Sequence, residues 1–359
     1  MPGTANERDA RIMGPVQGRD AFALDSDGFT CEKVLDEPEV WRVELLMGQT
    51  FLPSVNAFVV LDGGEALVVD TGTADDYNDT RLMRALLRLG VDPARTTLFC
   101  THAHNDHAAQ AAALAQAGIR VCAYERTVED MRLLPSRAYL DTMVSRLMVE
   151  GVEKDEAAQM AGAIWKHNVD IEAQGVRCES LAAGDHLTCG RWSFELLPMP
   201  GHTPGQCILW LAEKSLAFTG DVVLFACSTC ISFWEGMGDS MSDQLGSLAR
   251  LRGLGVEHPM LGHGVPQGDL SERCEKNIAH HLRRADRALA AVAEHPGSTG
   301  FELVPYLGWH APFDVWDQVP ALTRWFLVSE SIAHLDRLVA LGSIARNVDA
   351  AGVNRYFPA

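Results

Sequence analysis

The run Thr101-His102-Ala103-His104-Asn105-Asp106-His107 places three imidazoles and one carboxylate within six consecutive positions. It follows the apolar stretch Thr97-Leu98-Phe99-Cys100, which reads as a buried strand. A strand that releases its chain into a loop can aim several side chains at one point, and a rigid scaffold then holds them there. Imidazole nitrogen and carboxylate oxygen are the donors that zinc and similar first-row cations select. Read alone, the run is also compatible with a polar turn. The rest of the chain decides between these readings.

Three further glycine-flanked sites occur where strand patterns end: Gly201-His202-Thr203-Pro204-Gly205, Thr219-Gly220-Asp221 and Gly262-His263-Gly264. Glycines beside a ligand let the backbone turn sharply and bring the side chain inward. In all, five histidines and two aspartates stand on loops that follow strands.

The strands themselves are legible. Residues 41–45, 56–61 and 66–70 alternate or run apolar, with Asp62-Gly63-Gly64-Glu65 as a hairpin signal between the last two. Apolar positions at helical spacing over 80–89 predict a helix ended by Gly90, and an Ala-rich helix is expected over 108–117, followed by a strand at 119–124. Strands resume at 192–197, 206–211 and 215–219. Such alternation, opening on antiparallel strands, points to an α/β sandwich rather than a doubly wound sheet. Residues 126–178 interrupt it as a helical insertion, with amphipathic stretches near 140–148 and 154–165, and form a candidate lid. Tyr139 and Tyr124 reach a substrate if that insertion folds over the histidine run.

From about Asp269 the character changes again. A helix is expected over 271–294, with Ile278, Leu282, Leu289 and Val292 on its apolar side, and two more near 315–327 and 329–341. Short extended segments at 343–346 and 353–357 close the chain. The expected division is an N-terminal arm (1–30), a catalytic domain (31–268) and a C-terminal helical, winged-helix-like module (269–359).

Taken together, His102-Ala103-His104-Asn105-Asp106-His107, His202, Asp221 and His263, with Asp70-Thr71-Gly72 ahead of them, resemble the metallo-β-lactamase superfamily. The resemblance spans roughly residues 40–268. The C-terminal part is similar, more loosely, to a winged-helix module found in one branch. The resemblance implies an αββα sandwich. It assigns His102, His104 and His202 to one metal and Asp106, His107 and His263 to a second, with Asp221 bridging. It further implies two Zn²⁺ per chain, with Fe or Mn compatible with the same donors. Two divalent ions bring four positive charges, and Asp106, Asp221 and a bridging hydroxide bring three negative ones. The hydroxide would attack an ester-like bond, with Asp106 and Asp221 handling its proton. Asp70 is expected to orient the histidine run from behind.

Composition narrows the function. A net charge of −18 works against a polyanionic partner, since nucleic-acid binding generally needs a basic face. No apolar run is long enough to span a membrane, and the polar first 30 residues lack the apolar core of a secretory signal. Nine cysteines, an odd number scattered through apolar segments, suit reduced thiols in the cytoplasm. The expectation is a cytoplasmic, metal-dependent hydrolase acting on a thioester or lactone of a small metabolite, possible as a homodimer. The alternatives are a metal-dependent RNA endonuclease or phosphodiesterase, and a ligand-sensing relative without catalysis. Cys227-Ser228-Thr229-Cys230 reads as packing or channel-lining thiols, His280 and His281 as solvent-facing, and His334 as belonging to no constellation.

Overall fold

A computed structural model describes residues 21–23, 30–47, 52–74, 76–166, 168, 170–171 and 174–359. The arm expected over 1–30 lies outside these residues except for Thr30 and for Ala21–Ala23, which is a strand.

Two sheets face each other. The first holds eight strands in chain order: β1 (Ala21–Ala23), β2 (Thr30–Leu35), β3 (Glu39–Leu46), β4 (Ser54–Asp62), β5 (Glu65–Val69), β6 (Thr96–Cys100), β7 (Arg120–Tyr124) and β8 (Glu179–Leu181). It is antiparallel through β5 and parallel from β5 to β8. The second contains β9 (His186–Cys189), β10 (Trp192–Pro198), β11 (Cys207–Leu211), β12 (Leu216–Gly220) and β13 (His258–Leu261), in the order β13-β12-β11-β10-β9. The β4–β5 hairpin turns as the sequence signals. Asp62 pairs with Glu65 across Gly63 and Gly64, whose φ values of 59° and 78° are both positive, as a tight two-residue turn requires.

Period-two alternation builds the layers. On β4, Phe58 and Val60 face the second sheet, and Val55, Ala57 and Val59 face helices. On β11, Cys207, Leu209 and Leu211 point between the sheets, whereas Ile208 and Trp210 point to the opposite helical layer. Phe58, Phe99, Phe194 and Phe218 fill the middle. The result is an αββα sandwich.

The helices are α1 (Asp76–Arg88), α2 (Asn105–Ala108), α3 (Ala111–Gln116), α4 (Glu125–Leu133), α5 (Arg137–Val149), α6 (Lys154–Trp165), α7 (Ser240–Gly253), α8 (Leu270–Glu294), α9 (Gly300–Leu303) and α10 (Ala321–Ala340). Several expectations need correction. The helix expected over 108–117 is two helices broken at Ala109-Gln110, and α2 begins inside the histidine run, so Asp106 and His107 ride on a helical turn rather than a loop. The segments near 315–327 and 329–341 are one helix, α10, preceded by a 3-10 turn at Phe313–Gln318. On α8 the buried face differs from the expected one. Leu282 and Leu289 are exposed, while Ala285, Ala288, Ala291 and Val292 are buried with Cys274, Asn277 and His281.

The insertion and the C-terminal helices pack on each other. Arg146 on α5 reaches Asp336 on α10 with a two-pronged pair at 2.8 Å, and Glu156 on α6 accepts from Arg324 at 2.7 Å and from the Trp316 indole at 2.6 Å. β14 (Ile344–Val348) and β15 (Asn354–Pro358) form the expected antiparallel tip. Among the described residues no helix is long and apolar enough to cross a membrane.

Candidate metal centre

All seven residues singled out from the sequence converge at one end of the sandwich, beyond the C-terminal ends of β6, β10, β12 and β13. Their mounts are fixed by the backbone. The Asn56 amide donates to the Gly262 carbonyl at 2.7 Å, the Gly262 amide donates to the Gly220 carbonyl at 3.0 Å, and the Cys207 amide donates to the Thr101 carbonyl at 3.1 Å. Gly262 has no room for a side chain, because a Cβ there would collide with the Asp221 carboxylate.

The donor atoms form two abutting clusters. In the first, His104 Nδ1 lies 3.1 Å from His102 Nε2 and 2.9 Å from His202 Nε2. Nitrogens sharing a tetrahedral ion at 2.0–2.1 Å would sit roughly 3.3 Å apart, so the three need to spread only slightly. In the second, His263 Nε2 lies 3.3 Å from Asp106 Oδ2 and 3.3 Å from Asp221 Oδ2, and His107 Nε2 lies 3.5 Å from Asp221 Oδ1. Asp221 reaches both clusters, since its Oδ2 is also 3.7 Å from His202 Nε2.

The far nitrogens are held from behind. Nδ1 of His107 donates to Asp70 Oδ2 at 2.8 Å, Nδ1 of His202 to the Cys230 carbonyl at 2.8 Å, and Nδ1 of His263 to the Ser54 carbonyl at 2.8 Å. Such partners fix the tautomer that leaves Nε2 free as a donor to metal. Asp70 itself has a left-handed backbone, φ 61°, unusual outside glycine. Three groups hold it there: the Thr101 amide at 2.8 Å, the Thr101 hydroxyl at 2.9 Å and the His107 ring.

Charge divides the site. Burial, then the neighbouring imidazoles, holds His102 well below its ordinary pKa; burial, then His202, brings His104 down to about 3. Burial also lowers His202. These rings are therefore neutral, the form in which an imidazole can bind a metal. In the second cluster burial opposes charge, but Asp106 and Asp221 overcome it at His107, which is raised, and Asp221 does so at His263, raised to about 10. Burial alone would raise Asp221, yet His263 and His107 pull it well below the carboxylate range. The carboxylates therefore demand positive charge at this spot. His107 Nε2 and Asp221 Oδ1 are buried without a hydrogen-bond partner, an arrangement proteins rarely leave uncompensated. The donor set, its geometry and these two orphaned atoms fit divalent cations.

A cleft opens on the first cluster. His104 and His202 share it with Leu134, Tyr139, Met143 and Ile164 of the insertion and with Trp325 and Phe326 of α10. Of the two tyrosines expected to reach a substrate, Tyr139 lines this cleft, whereas Tyr124, at the end of β7, does not and packs against the inter-sheet core instead. Phe233, Trp234, Trp325 and Phe326 are additional wall residues that sequence reasoning missed, although the doublets Phe233-Trp234 and Trp325-Phe326 are a readable signal. His104 also makes an isolated bridge with Asn168, which ties the insertion to the histidine run.

Two histidine expectations fail. His281 and His334 are buried, at 1% and 0% exposure, beside Glu330, whose Oε1 lies 3.8 Å and 3.9 Å from their rings and accepts from Arg284 at 2.7 Å. Burial lowers His281 to about 3, so it is a neutral ring in a polar core rather than a solvent-facing one. Glu330 also accepts from the Ile231 amide at 3.4 Å, which anchors the loop carrying Cys230.

Comparison with known proteins agrees with this geometry. A family model of the metallo-beta-lactamase superfamily matches residues 51–172 and 179–263. The Beta-lactamase-like protein 2 homolog of Caenorhabditis elegans is 24% identical over 152 residues, covering 42% of this chain and 49% of that protein. The match thus spans about half of that relative's length. An atrochrysone carboxyl ACP thioesterase of Pseudocercospora fijiensis is 24% identical over 251 residues, 69% of this chain and 58% of that one. The solved structure of a metallo-beta-lactamase family protein from Thermus thermophilus superposes with a TM-score of 0.73, at 24% identity, over 89% of this chain and 98% of that one. The superfamily binds divalent metals and consists mostly of metal-dependent hydrolases. With the family model covering more than half its length, the chain belongs to the metallo-beta-lactamase superfamily.

Proposed function

We propose that this protein is a dinuclear metal-dependent hydrolase, with zinc as the resident ion, that cleaves a thioester or lactone of a small metabolite. The observation that supports it most is the pair of abutting donor clusters joined by Asp221 at the mouth of a mostly apolar cleft. His102, His104 and His202 would hold one ion, Asp106, His107 and His263 the other, and Asp221 both. Bound there, the ions would supply Lewis acidity and an activated water; one zinc alone brings the pKa of bound water to about 7.

The chain's own contribution is positioning and proton handling. Asp106 is half-buried at the edge of the second cluster, where its carboxylate can take the proton of the attacking water and return it to the leaving group. Asp70 and the Ser54 and Cys230 carbonyls keep the rings from rotating. The apolar walls exclude water from around the acyl part, which strengthens the electrostatic interactions beside it. The thioesterase name of one relative agrees with this class of bond. A cleft with this lining gives a polynucleotide no basic track to follow.

The reading is tested by offering the metal-loaded protein thioesters, lactones, phosphodiesters and β-lactams in parallel. Turnover of a thioester or lactone, abolished by chelation, is expected. Turnover of phosphodiesters alone, or tight ligand binding without turnover of any class, would overturn it.

A further inference from the structure

Residues 224–232 lead from Asp221 to the cleft wall and contain neither helix nor strand. Two contacts tie this segment to metal-site residues. The Thr229 hydroxyl donates to the Asp221 carbonyl at 3.0 Å, and the Cys230 carbonyl accepts from His202 Nδ1 at 2.8 Å. Most of its other anchors come from the C-terminal helices. On α8, Arg273 donates to the Leu224 and Cys227 carbonyls at 2.6 Å, and the Asn277 side-chain oxygen accepts from the Ser228 hydroxyl at 3.3 Å. On α10, Ser329 meets the Ser232 hydroxyl at 3.2 Å, and Glu330 Oε2 accepts from the Ile231 amide at 3.4 Å.

The last of these contacts reaches the metal site through a single rigid unit. The Cys230 carbonyl and the Ile231 amide belong to one planar peptide. Its oxygen faces His202 and its N–H faces Glu330, so tilting one end tilts the other. Glu330 is itself well fixed. It is buried, its Oε1 accepts from Arg284 at 2.7 Å, and that guanidinium lies 3.6 Å from the centre of the Trp309 ring. Arg284 balances the carboxylate, so Glu330 does not demand a metal ion as Asp221 does, although His281 and His334 stand beside it.

We propose that Glu330 is a positioning residue for the first metal ion. It acts through the Cys230–Ile231 peptide on His202, and the C-terminal helices thereby complete the metal centre. Without this acceptor the peptide can rotate, its carbonyl leaves Nδ1, and the ring loses the partner that keeps Nε2 aimed at the ion. The assignment rests on His202 as a metal ligand and not on which bond the site cleaves.

Removing Glu330 alone would strand the Arg284 charge, so the two are replaced together, which often costs a fold little. Arg284→Met/Glu330→Met abolishes the acceptor, whereas Arg284→Met/Glu330→Gln keeps an amide oxygen for Ile231. Zn²⁺ affinity is read by competition with a chromogenic chelator. The ring N–H groups are followed by NMR of zinc-loaded protein labelled at the histidine nitrogens. The first double variant is expected to bind zinc about three- to tenfold more weakly, somewhat less than the loss of a direct partner of a ligating histidine. Its His202 Nδ1–H exchanges with water several-fold faster, while those of His107 and His263 keep their wild-type rates. The glutamine version restores most of both. Asp336→Asn loosens α10 at its contact with Arg146 and leaves both readings unchanged. Wild-type affinity and exchange in a folded Arg284→Met/Glu330→Met protein would overturn the proposal. So would equal loosening of all three rings, or the same loss in Asp336→Asn, since either marks general destabilisation. The expected pattern in a protein that hydrolyses no ester would support the role of Glu330 and refute the hydrolase reading instead.

Discussion

Asp70 and His107 are joined by a 2.8 Å hydrogen bond from the ring Nδ1 to the carboxylate, although 37 positions separate them in the chain. The bond explains why an aspartate tolerates a left-handed backbone at the end of β5. The same carboxylate also caps the Thr101 amide and hydroxyl, so one side chain fixes both the start of the histidine run and the orientation of its last ring.

Asp70→Asn is therefore expected to weaken metal affinity about 10–100-fold, the usual effect of losing a partner behind a ligating histidine. Competition titration against a chromogenic chelator measures it. Unchanged affinity in a folded variant would show that His107 needs no such support.

The Arg284–Glu330 pair makes a separate prediction. Both side chains are buried, the guanidinium lies 3.6 Å from the centre of the Trp309 ring, and Glu330 holds the Ile231 amide. Arg284→Ala strands a buried carboxylate and is expected to cost about 3–5 kcal/mol in chemical denaturation. A loss under about 1 kcal/mol would mean that the carboxylate is rescued by solvent or protonation at little cost.

Asp130 gives a pH signature. Its carboxylate accepts from the Gly205 amide at 2.9 Å and Arg126 at 3.0 Å, and burial is the largest influence raising its pKa to about 6. Unfolded, an aspartate titrates near 3.9. Between these values the folded chain holds more protons, so this group's contribution to stability is greatest below about pH 4 and is lost as pH rises through 6. At about 1.4 kcal/mol per pKa unit the change amounts to about 3 kcal/mol. Asp130→Asn should remove that slope, so the stability of the variant minus that of the wild type rises from pH 4 to 7. A flat difference would contradict the assignment.

The sandwich and the seven donors are legible in the sequence because their signals are local. Period-two alternation on β4 and β11 needs only neighbouring residues, and glycine beside His202, Asp221 and His263 marks sharp turns at strand ends. What escapes a reading of the sequence depends on distant partners. The sequence suggests two helices parted near position 328, yet α10 runs straight through, and the polar Ser329, Glu330 and Ser331 on it are satisfied by Ser232, Arg284 and Trp309. On α8 the large apolar side chains suggest the buried face, whereas close packing selects Ala285, Ala288 and Ala291 and admits His281. The helix α7 carries no clear sequence signal, since its buried face mixes Met241, Leu248 and Leu251 with Gln244 and Ser247. Gln244 is drawn inside by the His202 amide, which donates to it at 3.1 Å, and by the Val222 carbonyl.

The central claim, that two ions joined through Asp221 perform hydrolysis, is tested most directly by titrating the metal-stripped protein with Zn²⁺ while following cleavage of a short-chain thioester. Activity absent at the start and rising until two equivalents per chain are bound is the predicted result. Full activity in the stripped protein, or a plateau at one equivalent, would contradict it.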